Sequence, residues 1–157
     1  MQKIYSMTFS ETGLNKNIQK AIADLGFDTP TPIQKESIPY LLENKTDLIA
    51  LAQTGTGKTA AFGMPVLHKI DVKRKLPQAI ILCPTRELCL QIAKDIETYA
   101  KYIKELKITA VYGGASIIPQ IKSLKYGTQI VVGTPGRVID LINRKSLKLQ
   151  DIEFVVL

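Results

Sequence analysis

Residues 52–59, AQTGTGKT, have the composition of a loop that holds phosphate. Gly55 and Gly57 can adopt backbone angles that other residues avoid, and they leave room for an anion to approach the main chain. Lys58 is expected to reach the β- and γ-phosphates of a nucleotide, and the hydroxyl of Thr59 to ligate Mg²⁺. The alternative is a glycine-bearing helix start with an exposed lysine.

The flanking residues favour the phosphate-binding interpretation. An apolar run, DLIAL, precedes the loop and AAFGMPVL follows it, which predicts a strand, a turn and a helix whose positive dipole end faces the ligand. Ala52 departs from the usual pattern, which begins with glycine. The residues expected to bind nucleotide here are Ala52, Gln53, Thr54, Gly55, Thr56, Gly57, Lys58, Thr59 and Ala60.

The elements that must position this loop alternate between short apolar runs and segments of helical period, as in a parallel sheet flanked by helices. Strands are predicted at 47–51, 78–83, 107–112, 129–132 and 153–157. A helix is predicted over residues 88–103, with Leu88, Ile92, Ile96, Tyr99 and Ile103 facing inward.

Two further helices are predicted before the loop. Residues 14–25 carry an apolar stripe, and Gly26 stands where a left-handed residue would end the helix. The next helix begins at TPIQ, with Thr31 as the cap and Pro32 at the first helical position. Pro39 is expected to bend or shorten it.

Composition places the chain among intracellular proteins with an anionic partner. The net charge of +7 over 157 residues favours nucleic acid or an acidic membrane surface. Cys83, Cys89 and the single histidine, His68, cannot supply four zinc ligands, so the cysteines are expected to be reduced core thiols. No signal peptide or run of 18 apolar residues occurs, so we expect a cytoplasmic location without a membrane partner.

Four more strings decide which nucleotide-binding family the chain resembles: GFDTPTPIQ at 26–34, PTREL at 84–88, Gly113–Gly114, and TPGR at 134–137. With AQTGTGKT, in this order and spacing, they resemble the first RecA-like domain of a DEAD-box ATP-dependent RNA helicase, a family that commonly has alanine at position 52. The resemblance implies an α/β, RecA-like P-loop domain, here incomplete, with a mostly parallel sheet and helices on both faces. Residues 1–34 would form an extension bearing the adenine-recognition (Q) motif, packed as one unit with the helicase domain at 35–157.

The resemblance also implies ATP or ADP and Mg²⁺ as ligands. It implies that the Gln34 amide reads the adenine edge and that Phe9 stacks on the base, whereas Phe27 is more typical of a residue that packs the motif in place. From the residues alone, a capping box with Thr31 is favoured over ligand binding for Gln34, and the alternative for Phe9 is an ordinary apolar contact.

PTREL and TPGR have two interpretations. Thr85 and Thr134 can cap helices. Each string also follows a predicted strand, at the edge of the sheet where open α/β folds bind ligands, and could line a track for the RNA backbone. With 6% aromatic residues and no tryptophan, base stacking is not expected. The implied RNA-binding residues are Pro84, Thr85, Arg86, Gly113, Gly114, Thr134, Pro135, Gly136 and Arg137.

The family's Asp-Glu-Ala-Asp string would begin just after Leu157, and acids there hold Mg²⁺ and position water. Asp151 and Glu153 precede the last strand, and Asp140 lies in a predicted helix, where it is expected to be solvated. We therefore expect a truncated domain that binds nucleotide weakly without hydrolysing it, and whose intact form adds a second RecA-like domain. Two rivals remain: another P-loop enzyme, such as a small-molecule kinase, and a non-enzymatic RNA-binding module.

Overall fold

The computed structural model describes residues 7–157. The chain divides into two compact units. The first runs to Lys69 and includes Thr98–Ile103; the second comprises Ile70–Glu97 and Lys104–Leu157. The phosphate-loop sequence lies in the first unit, and the PTREL, Gly-Gly and TPGR strings lie in the second.

Helices make up the first unit. A short 3₁₀ helix, Phe9–Thr12, is followed by α1 (Lys16–Asp24), α2 (Pro32–Glu43) and α3 (Lys58–Lys69). The caps agree with the sequence, because Asn15 Oδ1 accepts a hydrogen bond from the Ile18 amide and Gly26 has a φ of +73°. Thr31 and Pro32 begin α2 as predicted, and Pro39 lies within the helix, which continues to Glu43.

The second unit contains the sheet. Its strands are β1 (Ala79–Leu82), β2 (Ile108–Val111), β3 (Ile130–Gly133) and β4 (Phe154–Val156), in the spatial order β2-β3-β1-β4. All three pairings are parallel, and four of the predicted strands are thereby confirmed. The helices are α4 (Arg86–Tyr99), whose last two residues belong to the first unit, α5 (Ile117–Lys125) and α6 (Pro135–Asn143).

The strand predicted at 47–51 is wrong. This segment has no strand assignment and no strand partner among residues 7–157. Ile49 and Leu51 are 91% and 93% exposed. An apolar run becomes a strand only when neighbouring backbone satisfies its amides and carbonyls, and sequence composition does not reveal whether that neighbour is present.

The predicted inward face of α4 is confirmed in part. Leu88 is 38% exposed, whereas Cys89, Ile92 and Ile96 are buried. Ile92 and Ile96 thus face inward as predicted, Cys89 takes the buried position expected of Leu88, and the helix ends at Tyr99, before Ile103. No helix within residues 7–157 is long and apolar enough to cross a membrane.

Candidate functional site

A concave pocket of about 460 Å³ lies in the first unit. This volume falls within the range of small-molecule sites, about 300–1,000 Å³. It unites four separate parts of the sequence: the 3₁₀ helix, the GFDTPTPIQ string, the glycine-rich loop with the start of α3, and the end of α4. The lining residues are Phe9, Gly26, Phe27, Asp28, Thr29, Thr31, Gln34, Gly55, Gly57, Ala60 and Tyr99.

The glycine-rich loop has the backbone that its sequence predicts. Gly55 and Gly57 have φ values of +78° and +82°, in the region that favours glycine. A Cβ added to Gly55 would meet nothing within 4 Å, so this part of the loop is open. Helix α3 begins directly afterwards at Lys58, and its first amides have no acceptor within the helix. The loop and helix start thus offer backbone donors to an anion.

Gln34 connects the pocket to the loop. Its Oε1 accepts a hydrogen bond from the Thr31 amide at 3.0 Å, and its Nε2 donates to the Gly57 carbonyl at 3.1 Å. The side chain is 5% exposed, so these two bonds fix the amide orientation inside the pocket wall. The capping box predicted for Thr31 and Gln34 is confirmed. A primary amide has two donors and two lone pairs, so one of each is left for a ligand.

Two threonines and a lysine complete the loop's internal contacts. The hydroxyl of Thr31 donates to the Thr56 carbonyl at 2.9 Å, and that of Thr56 donates to the Gln53 carbonyl at 2.7 Å. Lys58 folds back over the loop, where its Nζ donates to the Ala52 carbonyl at 3.0 Å. An ammonium has three donors and Lys58 is exposed, so it can turn to an anion without breaking buried contacts.

The aromatic residues of the pocket differ in exposure. Phe9 is 5% exposed and Phe27 is 47% exposed, and both contribute to the wall. Asp28, Thr29 and Tyr99 line the same pocket and were missed by the sequence reasoning. Asp28 and Thr29 lie within GFDTPTPIQ and could have been included. Tyr99 had only an inward-facing helical position as its signal, which does not distinguish a core residue from a pocket residue.

In the second unit, PTREL, Gly113–Gly114 and TPGR follow β1, β2 and β3. These strands are adjacent and parallel, so their carboxyl ends meet at one edge of the sheet and bring the three strings together. Thr85 Oγ1 accepts a hydrogen bond from the Leu88 amide at 3.2 Å, which confirms it as a cap. Thr134 occupies the cap position of α6 but makes no side-chain capping bond.

The three strings contact one another through two arginines. The Arg86 guanidinium lies over the ring of Tyr112, 4.8 Å from its centroid. Arg137 Nη2 donates to the Ala115 carbonyl at 3.0 Å. Tyr112 and Ala115 flank Gly113 and Gly114 in the sequence, so each arginine contacts a residue next to the glycine pair.

The two cysteines are buried thiols that burial keeps protonated at neutral pH. Both are buried and free, as predicted. Burial raises the pKa of Cys83 and raises the pKa of Cys89 to about 12. Within residues 7–157 there is no group of three or more His, Cys, Asp or Glu side chains that could hold a metal ion. The Asp140 side chain is solvent-exposed, as expected, and its Oδ1 lies 2.7 Å from Arg144 Nε.

A family model described as DEAD/DEAH box helicase matches residues 31–157. The chain belongs to this family. Among curated relatives of this DEAD-box chain, the ATP-dependent RNA helicase CshA of Listeria monocytogenes is 54% identical over 95% of the chain, and the ATP-dependent RNA helicase DeaD of Haemophilus influenzae is 48% identical over 96%. The match covers 28% and 24% of those relatives, so the chain spans about a quarter of their length.

Solved structures confirm the RecA-like α/β fold of the DEAD-box chain. A DEAD box protein from Methanococcus jannaschii superimposes with a TM-score of 0.89 at 46% identity, covering 95% of this chain and 40% of that one. Dbp5 of S. cerevisiae, solved with RNA and ADP BeF3, gives a TM-score of 0.83 at 35% identity, covering 95% and 37%. The resemblance drawn from the motifs is therefore confirmed at the level of family and fold.

Proposed function

We propose that this chain is the adenine-nucleotide-binding part of an ATP-dependent RNA helicase and that it supplies part of the track for the RNA backbone. The observation that carries the proposal is the Gln34 amide, held at the Gly57 carbonyl inside a pocket of nucleoside size. Base recognition and phosphate binding are thereby linked through one hydrogen bond.

Adenine recognition is proposed to use the one donor and one acceptor of the Gln34 amide that make no bond within the chain. One Nε2 hydrogen and one Oε1 lone pair match N7, an acceptor, and the N6 amino group, a donor, of adenine. Guanine presents an acceptor at both N7 and O6, so one of the two bonds would be lost. Phe9 and Phe27, in the same wall, provide apolar surface for the base, with Phe9 as the proposed stacking partner.

Phosphate binding is assigned to the loop and the start of α3. Amides near Gly55 and Gly57, together with the positive end of the α3 dipole, favour an anion at this position. Lys58 then exchanges its bond with the Ala52 carbonyl for the β- and γ-phosphates. The remaining loop residues, Gln53, Thr54 and Thr56, shape the backbone, and buried Ala60 closes the base of the pocket.

Mg²⁺ is proposed to bind at Thr59, in the first turn of α3. A hydroxyl oxygen suits this hard cation, which keeps several waters and takes further oxygens from nucleotide phosphates. When bound, the ion neutralises the charge that develops on the transferred phosphoryl group. Thr59 is the one Mg²⁺ ligand that we assign in this chain, and we propose that the chain alone binds nucleotide without turning it over.

The RNA track is assigned to the sheet edge of the second unit. Arg86, Gly113 and Gly114 are exposed there, beside the start of α6. Exposed guanidinium and backbone amides read phosphates rather than base sequence. The Dbp5 structure, which contains RNA, supports this assignment through its shared fold. We further propose that a second RecA-like domain closes on nucleotide and RNA in the intact protein, and that differential binding to open and closed states drives the cycle.

Titration with ADP and GDP tests the proposal. We expect the chain to prefer ADP, and Gln34→Ala to reduce that preference while retaining phosphate binding. Gln19→Ala is the control, since this glutamine bonds the Leu14 carbonyl and does not line the pocket. Equal affinity for ADP and GDP in the unmodified chain would favour another class of P-loop enzyme. No ADP binding at millimolar concentration would favour a non-enzymatic module.

A further inference from the structure

The two arginines beside the glycine turn are held in different ways. Arg86 is exposed, with one face over the Tyr112 ring and its edge in solvent. Arg137 is partly buried: its Nη2 is bonded to the Ala115 carbonyl, and its Nη1 is inaccessible to solvent with no hydrogen-bond partner among the described residues. A phosphate oxygen could not reach that Nη1 unless the surrounding side chains opened.

We infer that Arg137 is a positioning residue that holds the turn at residues 113–115 against the start of α6, and that it does not bind RNA phosphate. The RNA part of this inference rests on the proposed function. Phosphate contact is left to Arg86 and to the amides of Gly113 and Gly114. The motif arginine thus acts through the backbone of a neighbouring loop.

The turn at Gly113 and Gly114 requires stabilising contacts because glycine backbone is conformationally flexible. Gly114 has a φ of +74°, and Gly113 and Gly114 are exposed. Glycine loses more conformational freedom on ordering than other residues, so a Gly-Gly turn holds one shape only when its neighbours are tethered.

The tethers are visible on both sides of the turn. Gln120, which is 8% exposed, accepts a hydrogen bond from the Tyr112 amide and donates to the carbonyls of Tyr112 and Ser116. Arg137 adds a bond to Ala115, between those two points. The turn is therefore fixed before and after the glycines, with Arg137 as the tether nearest to Gly114.

A phosphate-binding arginine and a positioning arginine affect the salt dependence of RNA affinity differently. A cation that neutralises a phosphate releases condensed counterions, so each such contact to single-stranded nucleic acid adds about 0.7 to the slope of log affinity against log salt. Neutral backbone amides do not add such a contribution. Loss of a positioning residue should therefore lower affinity at every salt concentration without changing the slope.

The experiment compares Arg137→Lys, Arg137→Gln and Arg86→Gln in the chain, with Arg144→Gln as a control. Arg144 caps the far end of α6 and pairs with Asp140. The backbone order parameters of residues 113–116 are measured by ¹⁵N NMR without RNA. Binding of a short single-stranded RNA is measured at several KCl concentrations, and thermal unfolding shows whether each variant keeps its fold.

Both Arg137 variants should lower the order parameters at 113–116 from about 0.85 toward 0.6, and weaken RNA binding at an unchanged salt slope. Arg86→Gln should leave the turn ordered and lower the slope by about 0.7. Arg137→Lys is the sharpest test, because it keeps the positive charge but loses the planar guanidinium.

The inference is overturned if Arg137→Lys leaves the turn ordered, or if Arg137→Gln lowers the salt slope as Arg86→Gln does. If the chain binds no RNA, the proposed RNA track is wrong, and the order parameters alone decide whether Arg137 braces the turn. Failure of the inference and failure of the proposed function are thus separate results.

Discussion

The Nε2 atom of Gln34 donates a hydrogen bond to the carbonyl of Gly57, across a gap of 23 residues in the sequence. A Cβ placed on Gly57 would lie 2.3 Å from that nitrogen, so the amide occupies the space that a side chain would need. The absence of a side chain at Gly57 is therefore a condition for the position of Gln34. The Gln34 side chain and the glycine-rich loop are fitted to each other.

Gly57→Ala should displace the Gln34 amide and lower both stability and ADP affinity. Alanine at a left-handed φ costs about 1–2 kcal/mol, and displacing the Gln34 amide breaks its buried hydrogen bond to the Gly57 carbonyl, which costs about 1–3 kcal/mol more in unfolding free energy. Gly55→Ala is a matched control, since its φ is similar but its Cβ would meet nothing within 4 Å. Urea denaturation of both variants measures the difference. Equal destabilisation of the two variants would mean that the Gln34 amide moves aside without lowering the free energy of unfolding.

Lys58→Ala should weaken ADP binding about 10- to 100-fold, because hydrogen bonds to a charged partner contribute about 1.5–3 kcal/mol. Isothermal titration calorimetry measures the effect. Lys69→Ala removes the same charge from the other end of α3 and should leave the affinity nearly unchanged. If the two variants bind ADP equally well, Lys58 is not a phosphate ligand.

Acidification should weaken the first unit through His68. Its Nδ1 accepts a hydrogen bond from the Asn15 amide at 3.1 Å, which a protonated Nδ1 cannot do. Burial, helped by the charge of Lys69, lowers the pKa of His68 below its usual 6.5. The unfolded chain therefore binds the proton first, and stability is full above pH 6.5, falls below it, and levels off below the folded pKa.

Urea midpoints between pH 7.5 and 5 check this dependence, with His68→Gln as the comparison. The variant should be less stable at pH 7.5 and should lose less on acidification. Asp24, whose pKa is lowered by Lys101 and Tyr102, titrates at lower pH and affects a separate range. If the urea midpoint falls by the same amount on acidification in both proteins, His68 is not responsible for the pH dependence.

Gly133→Ala should destabilise the second unit by about 1–3 kcal/mol, the usual cost of overpacking a core. Its Cβ would lie 2.4 Å from Val138 Cγ2 and 2.7 Å from Val111 Cγ2, both in buried valines. Gly136→Ala has open space around its Cβ and lies within α6, where alanine is favoured by about 0.5–1 kcal/mol. Thermal unfolding should shift in opposite directions for the two variants.

Much of the site could be predicted because its signals are local. The glycines of the loop, the Thr31 cap and the strands before PTREL and TPGR all follow from neighbouring residues. The Gln34 amide makes two contacts at once. Its Oε1 caps α2, as the capping-box pattern predicts, and its Nε2 contacts the glycine-rich loop. The residues around Gln34 in the sequence do not show that its amide bonds both α2 and the loop.

The parts that could not be predicted depend on partners distant in sequence. Tyr99 reaches the pocket from the end of α4, and Arg137 bonds the carbonyl of Ala115, 22 residues earlier. The segment at 47–51 has the composition of a strand, but whether it becomes one depends on backbone elsewhere. Sequence patterns give each element's preference, whereas these contacts arise from the packing of several elements.

The exposure of Ile49 and Leu51 has a practical consequence for handling the chain. Exposed apolar side chains on a segment that pairs with no strand among residues 7–157 favour association with another copy. Sedimentation of the chain should therefore show concentration-dependent self-association, and a charged substitution at Ile49 should raise solubility without disturbing the pocket, which that side chain does not line.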